Sequence, residues 1–343
     1  MPSMDIFNQD AFSAVSLTGE IVKTPYTPQF LGNMGLFQAD GIYTTDIAIE
    51  ELDGSLTVIA TSPRGAPPEP LSNPKRKLRK FSTVRLAREG AVNADQVQNV
   101  RAMGSETELQ TVQGLINDRF NGPFGLRAAM ELTHEYHRLG AIQGKVMDAD
   151  GTTVLFDWYS EFGVAEPAEV DLDLDNANPA EGALLKKCHA VKRSAIQALG
   201  GLPTAQMELV ALCGDNLFDD FTTHKEVRDV WKVAQQGAAL AENRAYDQVR
   251  FGGITWINYR GTDDGKVGIG TDKARLFPRG VPGVFQMLFG PADTFEFVNT
   301  KGLPVYAMMP KERQTSRSAV VEVQSNPLTI CTRPLALRSM KRT

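Results

Sequence analysis

Two of the chain's four histidines, His134 and His137, stand three residues apart in the stretch ELTHEYHRLGAIQG at 131–144, with Glu135 between them. Imidazoles beside a carboxylate on a helix are the makings of a hydrolytic zinc site. There, histidines at i and i+4 hold the ion and the glutamate activates water. Here the spacing is i, i+3. The two side chains would still share a helix face, but the pair falls one residue short of that motif. Only His189 and His224 remain as further imidazoles. Spacing and donor count weigh against a metal and point to surface or interface histidines on a helix.

Three other stretches invite chemistry. DLDLDNANPAEG at 171–182 places Asp171, Asp173 and Asp175 at positions 1, 3 and 5 of a calcium loop. Asn176 stands where the turn needs glycine, however, and Gly182 stands where glutamate closes the coordination shell. A solvated acidic strand or linker is the simpler reading. GKVGIGTDKA at 265–274 has Gly-x-Gly without the third glycine of a dinucleotide fingerprint and without a Walker lysine, so it reads as a turn. KRKLRK at 75–80 packs five bases into six residues. Apart from Phe81 it lacks aromatics for base stacking. Lys75, Arg76, Lys77, Arg79 and Lys80 are therefore expected to dock on an acidic patch of another copy, such as segment 157–181. No nucleophile elbow or Cys-x-x-Cys occurs. No catalytic residue, cofactor or metal is expected, and the chain does not read as an enzyme.

Composition is that of an ordinary globular protein of 343 residues, 42% hydrophobic and 22% charged. A net charge of -5 argues against a dedicated nucleic-acid binder. Cys188, Cys213 and Cys331 are far apart and two lie in apolar runs, which suits buried reduced thiols made in a cytosol. The first twenty residues lack a basic start and a continuous apolar core, so no signal peptide is expected, and no apolar run is long enough for a membrane span.

The elements that would position these stretches follow from periodicity. Residues 1–41 read as an arm whose large apolar residues, Phe7 and Phe12 among them, need covering. Strands at about 42–51 and 55–61 would turn at Asp53-Gly54. The proline-rich 62–74 then leads into the basic run, so that 42–88 forms a long projecting hairpin. Ser105 and Glu108 make a capping box for a helix with Leu109, Val112, Leu115 and Ile116 on its apolar face. NGPFG at 121–125 should break that helix before it resumes through the histidine stretch. A second hairpin turns at Asp150-Gly151. Beyond an acidic boundary, helix and strand alternate over 183–290: a helix at 183–199, a buried strand at MELVALCG, helical material at 215–241 with Asp215 as N-cap, and strands at ITWINYRG and ARLFP. The tail, 293–343, reads as strand and turn. The fold class is α+β.

Several long ordered blocks carry a resemblance. MDIFNQDAFSAVSLTGEIVKTPYTP, EYHRLGAIQGKVMDADGTTVLFDWYSEFG, ALCGDNLFDDFTTHKEVRDVW, FGGITWINYRG, ARLFPRGVPGVFQMLFGPADTFEFVNTKGLPVYA and QSNPLTICTRP resemble the major capsid proteins of tailed bacteriophages. More narrowly, they are similar to the lambda-type major head protein family, phage capsid protein E, from about residue 4 to about residue 337. The resemblance implies the Hong Kong ninety-seven fold: an N-terminal arm (1–41), an extended loop (42–88), a peripheral domain with a spine helix (89–182 and 291–343) and an axial domain (183–290). It further implies self-assembly into hexamers and pentamers of an icosahedral head around double-stranded DNA, in a virion assembled in the bacterial cytoplasm. Implied partners are a portal protein, a separate scaffolding protein and room for a small decoration protein, with no membrane. Because the family blocks start almost at once, no large N-terminal segment is expected to be removed on maturation, and non-covalent stabilisation is expected between subunits. The alternatives carried beside it are a cellular compartment shell of the same fold and a hydrolase built on His134, Glu135 and His137.

Overall fold

A computed structural model describes residues 28–53, 75–97, 111–176, 178–202, 205–235, 248–310, 315 and 317–343. The described chain opens with a short helix, α1 (Phe30–Asn33), and strand β1 (Gln38–Gly41). A hairpin of β2 (Asp46–Asp53) and β3 (Lys75–Ser82) follows, then β4 (Leu86–Asn93). Helices α2 (Val112–Asn121) and α3 (Leu126–Gln143) lead into β5 (Lys145–Met147), β6 (Val154–Asp157), the short α4 (Trp158–Phe162) and β7 (Val170–Asp171). Next come α5 (Ala183–Leu199), β8 (Glu208–Cys213), α6 (Asp215–Thr223) and α7 (Lys225–Gln235). After them run β9 (Gln248–Phe251), β10 (Ile254–Asn258), β11 (Lys273–Arg279) and β12 (Phe285–Phe289). The chain ends in β13 (Tyr306–Met308), β14 (Ser318–Ser325), β15 (Pro327–Cys331) and β16 (Arg338–Lys341).

The near-continuous apolar run of β8 is that of a strand buried on both faces. It lies inside a six-stranded sheet ordered β7-β16-β11-β8-β10-β9, parallel to β10 and antiparallel to β11. Successive side chains of a strand point to opposite faces. Leu209, Ala211 and Cys213 accordingly join Leu184, Cys188 and Val191 of α5 and Leu217 and Phe221 of α6 in one core. Val210 and Leu212 join a second core that holds Leu139 and Ile142 of α3, Trp158, Phe285 and Ile330. The sheet is thus a wall shared by two cores. All three cysteines are buried and free, as their apolar settings suggested. No helix among the described residues is long and apolar enough to cross a membrane.

The break at NGPFG is present: α2 ends at Asn121 and α3 starts at Leu126. Pro123 has no N–H to continue the ladder. The Gly122 N–H closes the first helix on the Asp118 carbonyl at 2.8 Å. Ser105, Glu108 and Leu109 lie outside the described residues, and α2 is capped by the Thr111 hydroxyl, which accepts from the Gly114 N–H at 3.0 Å. Val112, expected on the buried face, is half exposed. The hairpin at Asp150-Gly151 is also found, with Asp150 Oδ1 accepting from the N–H groups of Thr152 and Thr153.

The hairpin expected within 42–88 is present: β2 pairs with β3, Asp53 standing opposite Lys75 and Asp46 opposite Ser82. The expected strand at 55–61 lies outside the described residues. The cap of α6 differs from expectation: Gly214, not Asp215, is its N-cap. A Cβ at position 214 would meet the Gly270 carbonyl oxygen at 2.3 Å, because the glycine-rich turn packs directly on that helix start. Strands far apart in the chain share sheets. β16 pairs with β11, and β12 pairs with both β1 and β15, so sheet hydrogen bonds join residues on either side of 290/291.

At the end of α3, Gly144 adopts φ +84° and lies against the ring of Tyr159, where an added Cβ would meet Cε2 at 2.3 Å. Gly144→Ala combines left-handed strain with overpacking and should lower unfolding free energy by about 1–3 kcal/mol in urea titrations.

Candidate functional site

Helix α3 carries the opening constellation, and its most consequential side chain is the carboxylate. Glu135 lies four residues before Leu139 and seven before Ile142, on the helix's buried stripe, and has no exposed surface. Its Oε1 accepts from the Leu31 N–H at 2.7 Å and its Oε2 from the Gly32 N–H at 3.1 Å. These are first-turn amides of α1, the orphan donors of a helix start. A carboxylate 104 residues away in sequence thus caps the arm. Arg138 Nη1 stands 3.4 Å from Glu135 Oε2, and Gln29 Nε2 donates to Glu131 Oε2 at 2.7 Å. Leu31 is fully buried in the second core, which completes a latch between the α1 segment and helix α3. Burial pushes the Glu135 pKa upward, opposed by the two amides and the Arg138 guanidinium.

The histidines are not on a surface. His134 and His137 are both buried, because the helix face they share packs against the body. His134 Nε2 lies 2.9 Å from Ser325 Oγ, whose hydroxyl donates to the Pro304 carbonyl at 2.7 Å. A hydroxyl has one hydrogen, so His134 must donate from Nε2 and is the neutral Nε2–H tautomer. That nitrogen has no lone pair for a cation. Burial, aided by Arg138 and His137, pushes the His134 pKa down to about 3. Burial also takes His137 down to about 4, against the pull of Asp148. Among the described residues, no group of three His, Cys, Asp or Glu side chains is placed to hold a metal.

The acidic linker is tied down locally. Asp171 Oδ1 accepts from the Asp173 N–H at 2.8 Å, and Lys341 approaches Asp171 at 3.3 Å. Lys187 reaches Asp173 at 3.9 Å.

The basic run forms β3, and its residues divide by role. Phe81 is buried against Trp158 and Phe162. Arg79 donates to the carbonyls of Glu161 and Phe162, and its guanidinium lies 5.4 Å from the Phe162 ring centroid. The basic strand therefore meets the start of segment 157–181 within its own chain. Lys80 pairs with Asp46 at 2.8 Å. Arg76 and Lys77 are exposed, as is Leu78 between Lys77 and Arg79. Lys75 stands opposite Asp53 in the register. β2 carries four acids, Asp46, Glu50, Glu51 and Asp53, beside the five bases of β3, and the register sets Glu51 opposite Lys77 and Asp53 opposite Lys75, so the two strands together are nearly neutral. Phe7 and Phe12 lie outside the described residues. Sequence reasoning missed the Glu135 latch and the Arg79 anchor. The available signal was a charged residue on an apolar stripe, which must find partners to be buried.

Two measurements test this arrangement. Glu135→Ala leaves the buried Leu31 amide and the Gly32 amide without their acceptor and should cost about 2–4 kcal/mol. Glu135→Gln keeps an acceptor and should cost less, with faster hydrogen exchange at Leu31 and Gly32 in both. The depressed imidazoles make the unfolded chain bind more protons between about pH 6.5 and their folded values, so stability falls as pH falls through that window. His134→Gln with His137→Gln should flatten the slope of urea midpoint against pH below about pH 6.5 relative to the parent chain. The upward shift of Glu135 acts with the opposite sign and is common to both proteins.

The phage major capsid protein E family matches residues 13–342 of this chain. The major capsid protein of Salmonella phage Felix O1 (isolate Felix O1-VT1) is 25% identical over 358 residues, covering 95% of this chain and 95% of that protein. The major capsid protein of Pseudomonas phage KPP10 is 26% identical over 321 residues, covering 87% and 88%. Among solved structures, the capsid of Myoviridae phage XM1 aligns with a TM-score of 0.57 at 12% identity, over 96% of this chain and 98% of that one. The bacteriophage PhiM1 mature capsid aligns at 0.55 and 12%, over 95% and 90%. These likenesses carry the fold, the Hong Kong ninety-seven architecture that the resemblance implied. With a match spanning nearly its whole length, the chain belongs to the phage major capsid protein E family, the structural subunits of phage capsid shells.

Proposed function

We propose that this chain builds the head shell of a tailed phage as hexamers and pentamers, closing an icosahedron around packaged double-stranded DNA after assembly in the host cytoplasm. The observation that carries the reading is the family match over residues 13–342. A portal, a separate scaffolding protein and a small decoration protein are its partners in this reading. In this reading its parts are an arm (1–41), an extended loop (42–88), a peripheral domain (89–182 with 291–343) and an axial domain (183–290), the last two sharing sheets through the β11–β16 and β12–β15 pairs. The role is mechanical, with no catalytic step. Contacts repeated around a closed shell multiply modest affinities, so the subunit surface and not a pocket carries the function.

Within that reading the hairpin docks on a neighbour through Arg76, Lys77 and the exposed Leu78, while Arg79 and Lys80 serve the subunit itself. Lys75 belongs to the same docking set, and Phe7 and Phe12 of the arm to a second contact. Expression with and without a scaffolding protein, followed by electron microscopy and a nucleic-acid assay, tests the whole. Shells are the expected product, and a stable monomer under both conditions would overturn the proposal. Arg76→Glu with Lys77→Glu should cut shell yield severely while shifting subunit stability by no more than about 0.5 kcal/mol. Normal shells from that variant would remove the docking role.

A further inference from the structure

Between β12 and β13, residues 290–303 form a loop with an inward and an outward side. Phe297 packs inward on Tyr306, ring centroids 4.9 Å apart. The N–H groups of Phe297 and Val298 close a turn on the Thr294 carbonyl at 3.0 and 2.9 Å. That turn throws Phe295 outward, where its side chain is fully exposed, and leaves Val298 half exposed beside it. Glu296 flanks the ring, as does Asp293, whose carboxylate is shared with Arg85 at 3.2 Å. A large bare aromatic between acids is a surface that needs a partner.

The same chain offers a matching concavity elsewhere. A groove of about 580 Å³ opens between α1 and α3, its lining including Phe120, Phe289 and Val305 together with Arg127, Arg138 and Glu131. Such a volume is in the range that accepts a side chain or small ligand. The loop's own continuation through Pro304 and Val305 forms one wall of this groove, while Phe295 stands free of its own chain. We propose that the Phe295 loop of one copy seats in the α1–α3 groove of the next. Rings of identical subunits require head-to-tail contacts between two different patches. Here the bare aromatic meets apolar lining residues, and the groove's two arginines outnumber its one lining acid, Glu131, so its edge is net positive toward Glu296 of the loop. The proposal rests on the shell reading, but particle formation reports on that reading separately.

The test pairs Phe295→Cys with Val305→Cys in the full chain; the three native cysteines are buried and give little background. Assembled particles are treated with a short bismaleimide and run on a denaturing gel. A ladder of linked subunits from the double variant, absent from each single variant, is expected. Particles that give no ladder would overturn the proposal, as would a link formed only within one chain, or a ladder from Phe295→Cys alone. If the double variant does not assemble, hydrogen exchange on wild-type particles decides. Residues 294–298 and 304–306 should exchange at least about tenfold more slowly than in the unassembled chain, and equal rates would end the idea. Phe295→Ser should reduce particle yield about tenfold with the melting temperature of the subunit unchanged.

Discussion

A carboxylate with no access to solvent must find hydrogen-bond donors, and Glu135 finds them in an arm segment more than a hundred residues earlier. Much of the subunit's organisation depends on that match. The arm's short helix has too few turns to hold itself together, so its geometry is supplied by the helix it lies on. Satisfying the carboxylate also fixes where Leu31 enters the core and where β1 then begins, and β1 is the edge partner of β12. One polar requirement on a buried stripe therefore sets the path of the chain from residue 29 to residue 41.

The six-stranded sheet imposes the complementary constraint. Because β8 sends alternate side chains into two cores, neither core can loosen without disturbing the other. α5 and α6 close one side, while α3, Trp158 and the β12–β15 pair close the other. The second core takes in residues from the arm, the base of the hairpin, the long helix and the C-terminal segment, namely Leu31, Phe81, Leu139 and Leu337. Segments far apart in sequence are thereby rooted in one packed interior. His134 contributes a polar stitch to this arrangement, joining α3 to the end of β14 through Ser325.

Elements held by local chemistry were legible in the sequence. The α5 helix, the β8 strand, the proline-glycine break and the Asp150 hairpin each follow from periodicity or turn residues within a short window. What was not legible depends on partners far away in sequence. The histidines looked like surface residues because their class is often exposed, and only the register of Glu135, Leu139 and Ile142 along one face reveals that the stripe is buried. The basic run looked like a free electrostatic patch because its acidic complement lies on another strand, and the anchor of Arg79 on two backbone carbonyls leaves no trace in residue type. The architecture is written in the family blocks, while the contacts that tie residues 29–41 and the β2–β3 hairpin to the rest join residues too far apart in sequence for any local pattern to mark.

The hairpin's composition has a consequence for how subunits meet. With acids along β2 and bases along β3, its charge is arranged as a dipole across its width instead of a monopole at its tip. The field of a dipole decays faster with distance than that of a net charge, and counterions in the surrounding solution weaken it further over a Debye length. Free subunits therefore feel little mutual pull through this element at long range. In the docking role proposed for it, the sign of the contact would depend on which strand meets the neighbour, so turning the hairpin over would convert attraction into repulsion. Such an element would discriminate by orientation and disfavour a subunit that arrives upside down.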